Sequence, residues 1–314
     1  MPRPIPTFHD FIGQPKTVEL LRRQNTGAQT RGQPFPNTLL TGASGLGKTM
    51  LARALAASYE TNLVMASGDI AKTDLVDRLM KLDTNDFLFI DEAHALKSTL
   101  QELLYDAIDN SQVPRVPGSL AAGAPIKEST TTVEISKCSI ILATDQPGRL
   151  LNALQKRMSL RVSLAYYSID ELKEIADRMA TDMNLLLSPQ AARLIAKVSA
   201  GLPRRVTQHL HNLQNHFPDS ETHQLSVPHV KEFLSAFDID EKGLGAQERQ
   251  YLNYLKVNGS ASLELLAICL GVDCDFVRRQ IEPLMLREGL VKIGPGGRKL
   301  TPAGLHWIKQ NNKT

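Results

Sequence analysis

The chain has 314 residues and 42% hydrophobic content, long for one domain and ordinary for a globular protein with a sizeable core, so two or three domains are expected. Its net charge of +3 is too mild to point to nucleic acid by itself, and basic residues count only where they cluster. Cys138, Cys269 and Cys274 lack metal-ligand spacing, residues 1–6 lack the apolar core of a signal peptide, and no run approaches a membrane span; the expectation is a cytoplasmic protein with three reduced, mostly buried thiols and no membrane partner.

In chain order, residues 2–6 are Pro-rich and expected to be extended, and Pro15 suits the first turn of a helix over 15–30. Residues 37–41 form a short apolar run suited to a buried strand. Gly42-Ala-Ser-Gly-Leu-Gly-Lys-Thr49 follows and reads G-x-x-x-x-G-K-[ST], with a helical pattern over 50–59 behind it. This strand–loop–helix context is what a phosphate-binding P-loop requires. Its glycines let backbone N–H groups face a phosphate, and the new helix adds the positive end of its dipole. The nucleotide-binding set is Gly42, Gly45, Leu46, Gly47, Lys48, Thr49 and Met50. Lys48 reaches the β- and γ-phosphates of ATP, and the Thr49 hydroxyl holds Mg²⁺.

A strand over 63–66 and a short helix over 74–81 come next, then the apolar strand Phe87-Leu-Phe-Ile-Asp91. Asp91 is placed to bind Mg²⁺ and Glu92 to polarise the attacking water. Asp91-Glu-Ala-His94 also spells the motif of another helicase class, but those enzymes are longer and need a second sheet domain. His94 is therefore read as a polar residue at a helix start. A helix over 96–110 precedes residues 111–136, whose prolines and glycines followed by β-branched residues read as a long exposed hairpin with a loose tip. Residues 139–144 are a further buried strand. Continuous apolar strands alternating with helices give an α/β doubly wound parallel sheet.

From residue 168 the pattern turns helical: 169–183, 188–199, 203–216 and 227–237 read as a small helical domain. His209, His211 and His216 share one helix but not one face, so no metal site is expected there. Residues 247–258, 262–270 and 275–288, with strands at 290–293 and 298–301, make a winged helix. The expected division is an ATPase domain over 1–165, a helical lid over 166–240 and a DNA-binding winged helix over 241–314. The wing and last helix carry Arg278, Arg279, Arg287, Lys292, Arg298 and Lys299, a cluster suited to phosphate contacts without sequence reading.

The order of these parts resembles the AAA+ ATPases, and among them the RuvB family of bacterial Holliday-junction branch-migration motors. The resemblance rests on Phe11-Ile-Gly-Gln14, Gly42 to Thr49, Leu88-Phe-Ile-Asp-Glu-Ala-His94, Glu102 to Tyr105, Ala143-Thr144, Tyr166-Tyr167, Gly201 with Pro203-Arg204, and Glu288-Gly-Leu290, and spans roughly residues 6–305. It implies that Thr144 and Asp145 occupy the sensor region beside the γ-phosphate. It implies that Tyr167 lies beside the adenine, and that Arg204, with Arg205 as its close competitor, reaches the nucleotide from the helical domain. Arg157 matches an arginine finger acting in trans, which implies a homo-oligomeric ring, a hexamer. Arg298 matches a DNA-contacting arginine of the wing, with Lys292 and Lys299 beside it. The implied substrate is duplex or junction DNA, and the implied partner is an adaptor docking on the 111–136 hairpin, RuvA-like or different.

The departures are specific. Thr144-Asp145-Gln146 stands where the family has Thr-Thr-Arg, Met50 where it has a second Thr, and Ile293 and Gly296 where it has basic residues. Arg3 is one position early, and the hairpin is longer. Two other readings stay open: a clamp-loader or helicase-loader type remodeller, and an ATP-dependent DNA-binding switch with weak hydrolysis.

Overall fold

The computed structural model describes residues 7–123 and 131–311. The proline segment 2–6 with Arg3, and the hairpin tip 124–130, lie outside the described residues. The chain divides into two compact units, Met1–Tyr167 and Ser168–Thr314.

Uninterrupted apolar runs build the sheet of the first unit. Its strands are β1 (Thr38–Thr41), β2 (Leu63–Ser67), β3 (Phe87–Asp91), a hairpin pair β4 (Gln112–Pro114) and β5 (Thr132–Glu134), β6 (Ser139–Thr144) and β7 (Leu160–Ser163). β2, β3, β6, β1 and β7 lie side by side in that order, every neighbouring pair parallel. β3 and β6 are buried along almost their whole length, as strands covered on both faces must be. Register sets Thr41 beside Thr144 and Ile90 beside Leu142, so the carboxyl ends of β1, β3 and β6 meet at one edge. The chain order reverses about β1, and that crevice is where open α/β sheets bind ligands. The edge strand β7 escapes a reading of the sequence because Leu-Arg-Val-Ser offers only two apolar residues in four.

The helices of this unit are α1 (Pro15–Thr30), α2 (Lys48–Tyr59), α3 (Lys72–Met80), α4 (Ser98–Asn110), the short α5 (Leu120–Gly123) and α6 (Asn152–Arg157). Leu75, Leu79, Leu100 and Leu104 pack with Leu88, Ile90, Ile140 and Leu142 in one core. The expectation of an exposed hairpin is corrected at its base. Val113 of β4 and Ala121 of α5 are fully buried in that core, and the Leu120 amide donates to Asp77 of α3 at 2.6 Å.

The second unit opens with α7 (Ile169–Asp182), whose start is fixed by a capping box between Ser168 and Glu171. α8 (Pro189–Val198), α9 (Pro203–His216) and α10 (Val227–Ala236) complete the helical part. His209 is buried on α9, and burial pushes its pKa down to about 4, so it is a neutral core residue. The winged helix follows with α11 (Ala246–Asn258), α12 (Leu263–Leu270) and α13 (Cys274–Phe276), which runs through a π-turn (Val277–Ile281) into α14 (Glu282–Arg287). Pro283 explains the π-turn: it has no N–H for the helical ladder, which slips by one residue there. The wing is β8 (Val291–Gly294) antiparallel to β9 (Gly297–Leu300), closed by α15 (Pro302–Asn311), a helix not expected from the sequence. The three cysteines are free thiols and half-buried. Among the described residues no helix is long and apolar enough to cross a membrane.

Candidate active site

The loop after β1 curls because its glycines take backbone angles that L side chains avoid: φ is +140° at Gly42, +87° at Gly45 and +92° at Gly47. A side chain at Gly42 would also press on the Leu164 carbonyl, 3.0 Å from its Cβ. The curl folds the loop around Lys48, the first residue of α2. Lys48 is only 6% exposed, and its ammonium donates to the Gly42 and Ala43 carbonyls at 2.8 and 3.1 Å. A cation held this deep favours an anion beside it. Tyr167, buried at the end of the unit, caps the loop by donating its hydroxyl to the Leu46 carbonyl at 3.2 Å. Gln14 ties the entering segment to the same wall through a two-way bond with the Ala165 backbone.

The acids come from β3. The Thr49 hydroxyl donates to Asp91 Oδ2 at 2.8 Å, and the Glu92 amide donates to Asp91 Oδ1 at 3.0 Å. A hydroxyl and a carboxylate in contact are hard oxygen donors of the kind Mg²⁺ takes, so these residues fit the ion. Glu92 turns the chain with φ +49°. This turn is possible because residue 68 is glycine: a Cβ there would lie 2.2 Å from the Glu92 carbonyl, and the Gly68 amide donates to the Asp91 carbonyl at 2.8 Å.

The structure gives His94 a larger part than a polar helix start. Its side chain is 9% exposed, and its Nδ1 lies 3.3 Å from Glu92 Oε2, 3.4 Å from Asp145 Oδ1 and 3.1 Å from Thr144 Oγ1. Thr144 is fully buried, and its hydroxyl also accepts from the Gln146 amide at 2.9 Å. Thr144 is thus occupied within the protein, and Asp145 faces Glu92 across His94. The DEAH spelling was the available signal for His94. Besides Glu92, two positions back, its partners Thr144 and Asp145 lie 50 and 51 positions away, where spacing says nothing. Met50 is exposed at the start of α2.

Arg157, at the end of α6, is tied to α4 and to its own helix. Its Nε donates to Asp109 Oδ2 at 2.7 Å, its Nη1 donates to the Ala153 carbonyl, and its guanidinium lies over the Tyr105 ring at 4.5 Å. The bond from Asp109 holds its pKa above the usual arginine value. Tyr105 and Asp109 share one face of α4, four residues apart. Asp109 was not singled out from the sequence, and Tyr105 entered only as part of the Glu102–Tyr105 stretch that carries the family resemblance. In the second unit, Arg204 is exposed on the first turn of α9. Arg205 points a guanidinium nitrogen at the Gly243 carbonyl at 3.4 Å and lies 3.9 Å from Glu248, so these two contacts tie α9 to the start of the winged helix.

On the wing, Arg298 pairs inward: its Nε donates to Glu282 Oε1 at 2.7 Å, and Glu282 is 2% exposed and also accepts from the buried Tyr251 hydroxyl at 2.8 Å. The pull of this buried carboxylate turns the arginine inward. Lys292 and Lys299, by contrast, are exposed and stand directly opposite each other across the wing strands. Like charges so placed repel, and an anion lying over both relieves the repulsion.

Comparison with known proteins agrees with this arrangement. The family described as the Holliday junction DNA helicase RuvB P-loop domain matches residues 3–164, and the RuvB C-terminal winged helix domain matches residues 241–309. The Holliday junction branch migration complex subunit RuvB of Prochlorococcus marinus (strain MIT 9312) is 32% identical over 99% of this chain and 88% of its own. The subunit of the same name from Thermotoga maritima is 30% identical over 96% of this chain and 91% of its own. The solved Thermotoga maritima RuvB Holliday junction branch migration motor superposes with a TM-score of 0.84 over 98% of both chains, at 30% identity. The chain therefore belongs to the RuvB family, as a P-loop ATPase of the AAA+ class with a C-terminal winged helix.

Proposed function

We propose that this chain is an ATP-driven motor on Holliday-junction or related duplex DNA, working in the cytoplasm as a homo-oligomeric ring, a hexamer. The observation that carries the reading is the bond between Thr49 and Asp91 with Glu92 beside it, at the sheet edge where Lys48 opens α2. Lys48 and the loop amides bind the phosphates, while Thr49 and Asp91 hold Mg²⁺, which neutralises phosphate charge when bound. Glu92 orients the attacking water and accepts its proton. Tyr167 lies beside the base. Arg204 reaches the nucleotide in cis, and Arg157 reaches the next subunit's nucleotide in trans. Lys292 and Lys299 supply sequence-independent phosphate contacts. The hairpin between β4 and β5 docks an adaptor of the RuvA kind, which the relatives' description as subunits of a complex supports.

A second reading, an ATP-dependent DNA-binding switch with weak turnover, is favoured by one feature: Asp145 puts a second carboxylate in the γ-phosphate region. Hydrolysis assays on wild type and Glu92→Gln separate the two. The motor reading expects steady turnover that Glu92→Gln lowers by about 10²–10⁴, as loss of a general base does, with nucleotide affinity kept. Turnover unchanged in Glu92→Gln removes Glu92 from its role, and near-zero turnover in wild type with intact binding makes the chain a switch.

A further inference from the structure

The geometry points to a second cation site beside the Mg²⁺ pair, built by Glu92, His94 and Asp145 and suited to a zinc-like divalent ion. The ligating atoms of the three residues all lie within 4.8 Å of one another. His94 Nδ1 is 3.3 Å from Glu92 Oε2 and 3.4 Å from Asp145 Oδ1. Tetrahedral bonds of about 2.1 Å separate neighbouring ligand atoms by about 3.4 Å, so an ion fits among these atoms with small movement. The donor set, one imidazole nitrogen and two carboxylates, suits zinc or cobalt better than Mg²⁺, which prefers six oxygens. Three protein ligands leave a fourth position for water.

One surrounding bond orients a ligand and another must give way. Gln146 Nε2 donates to Asp145 Oδ1 at 3.2 Å and orients that carboxylate, while the buried Thr144 hydroxyl, 3.1 Å from His94 Nδ1, contacts the ligating nitrogen itself and is displaced when the ion binds. Glu92 is held by its turn at the end of β3, whose close approach to Gly68 leaves little slack. Filling the cation site takes Glu92 away from water, so the ion slows hydrolysis while leaving the phosphate loop free to bind nucleotide. That consequence rests on the reading of Glu92 as the base; the uptake of the ion does not.

The test uses the full-length chain free of nucleotide and Mg²⁺, titrated with cobalt(II) chloride by equilibrium dialysis and by visible absorption. Wild type is expected to take up one Co²⁺ per chain with the intense absorption of four-coordinate cobalt, displaced by zinc. His94→Gln and Asp145→Asn are each expected to weaken uptake by at least about tenfold, with melting temperatures checking that both variants fold. Thr49→Val, which removes a ligand of the Mg²⁺ pair only, is expected to keep it. Absence of uptake by wild type, or uptake undiminished in both folded variants, overturns the site, and loss confined to Thr49→Val places the ion at the Mg²⁺ pair instead. In the hydrolysis assay zinc should lower wild-type turnover at least tenfold and slow Asp145→Asn far less relative to its own rate. Uptake with undiminished turnover overturns the inhibitory consequence and the role of Glu92, while the cation site stands.

Discussion

At the scale of single residues, the wing sorts its basic side chains by what lies beneath them. Glu282 is 2% exposed and depends on Arg298 and Tyr251 for its charge to be tolerated. The carboxylate in turn holds the Arg298 pKa up, and burial with the same carboxylate pushes the Tyr251 hydroxyl up, so arginine stays charged and tyrosine protonated. Arg298→Ala strands a buried charge and should cost about 3–5 kcal/mol of stability, read by urea denaturation. Lys292→Ala and Lys299→Ala should leave the denaturation midpoint in place. Each should weaken DNA binding across unrelated sequences and lower the salt dependence by about one counterion. An Arg298→Ala chain of full stability that has lost DNA affinity would return the arginine to the interface.

Among the elements, the approach of the residue after β2 to the turn after β3 leaves no room for a side chain. A methyl group at residue 68 would sit 2.2 Å from the Glu92 carbonyl, against backbone that cannot rotate away. Gly68→Ala must therefore shift the turn that aims Glu92, with a stability loss of about 1–3 kcal/mol and a fall in turnover larger than the fall in nucleotide affinity. Gly148→Ala is the control, because nothing lies within 4 Å of a Cβ there. Thermal melting and hydrolysis rates of the pair check the argument, and equal behaviour of the two variants defeats it. The same scale explains the hairpin. Its prolines and glycines made it look exposed throughout, yet Val113 and Ala121 are apolar side chains that α3 and α4 had room to bury.

For the whole molecule the open question is where Arg157 acts. In the single chain its guanidinium rests on Asp109 and the Tyr105 ring. An arginine supplied in trans is worth roughly 10³–10⁵ in rate where such fingers operate. Arg157→Ala subunits alone should lose turnover on that order, as should Lys48→Ala subunits. Mixed rings should recover part of it, at interfaces that join an intact loop to an intact finger. Recovery is measured by hydrolysis rate against mixing ratio, with native mass spectrometry confirming mixed assemblies of six. Stable mixed rings without recovery would remove Arg157 from the trans role.

The P-loop unit was legible in the sequence by itself, since its determinants are neighbours in the chain. Gly42 to Thr49 must curl and open a helix because of their own backbone freedom and spacing, and Phe87 to Asp91 must be a buried strand because nothing in the run is polar until its last residue. The helix spans of the second unit up to α14 were legible for the same reason, as local capping and periodicity are set within a turn or two, whereas α15 was not. The tertiary structure alone decided which side chains meet. His94 reaches Asp145, and Arg298 reaches Glu282, across separations that spacing cannot measure, because those contacts depend on strand register and on the docking of one element against another. An arginine that looked free on the wing became a counter-ion. A histidine that looked incidental became the centre of the acid cluster, since burial makes each polar group find a partner wherever the fold brings one.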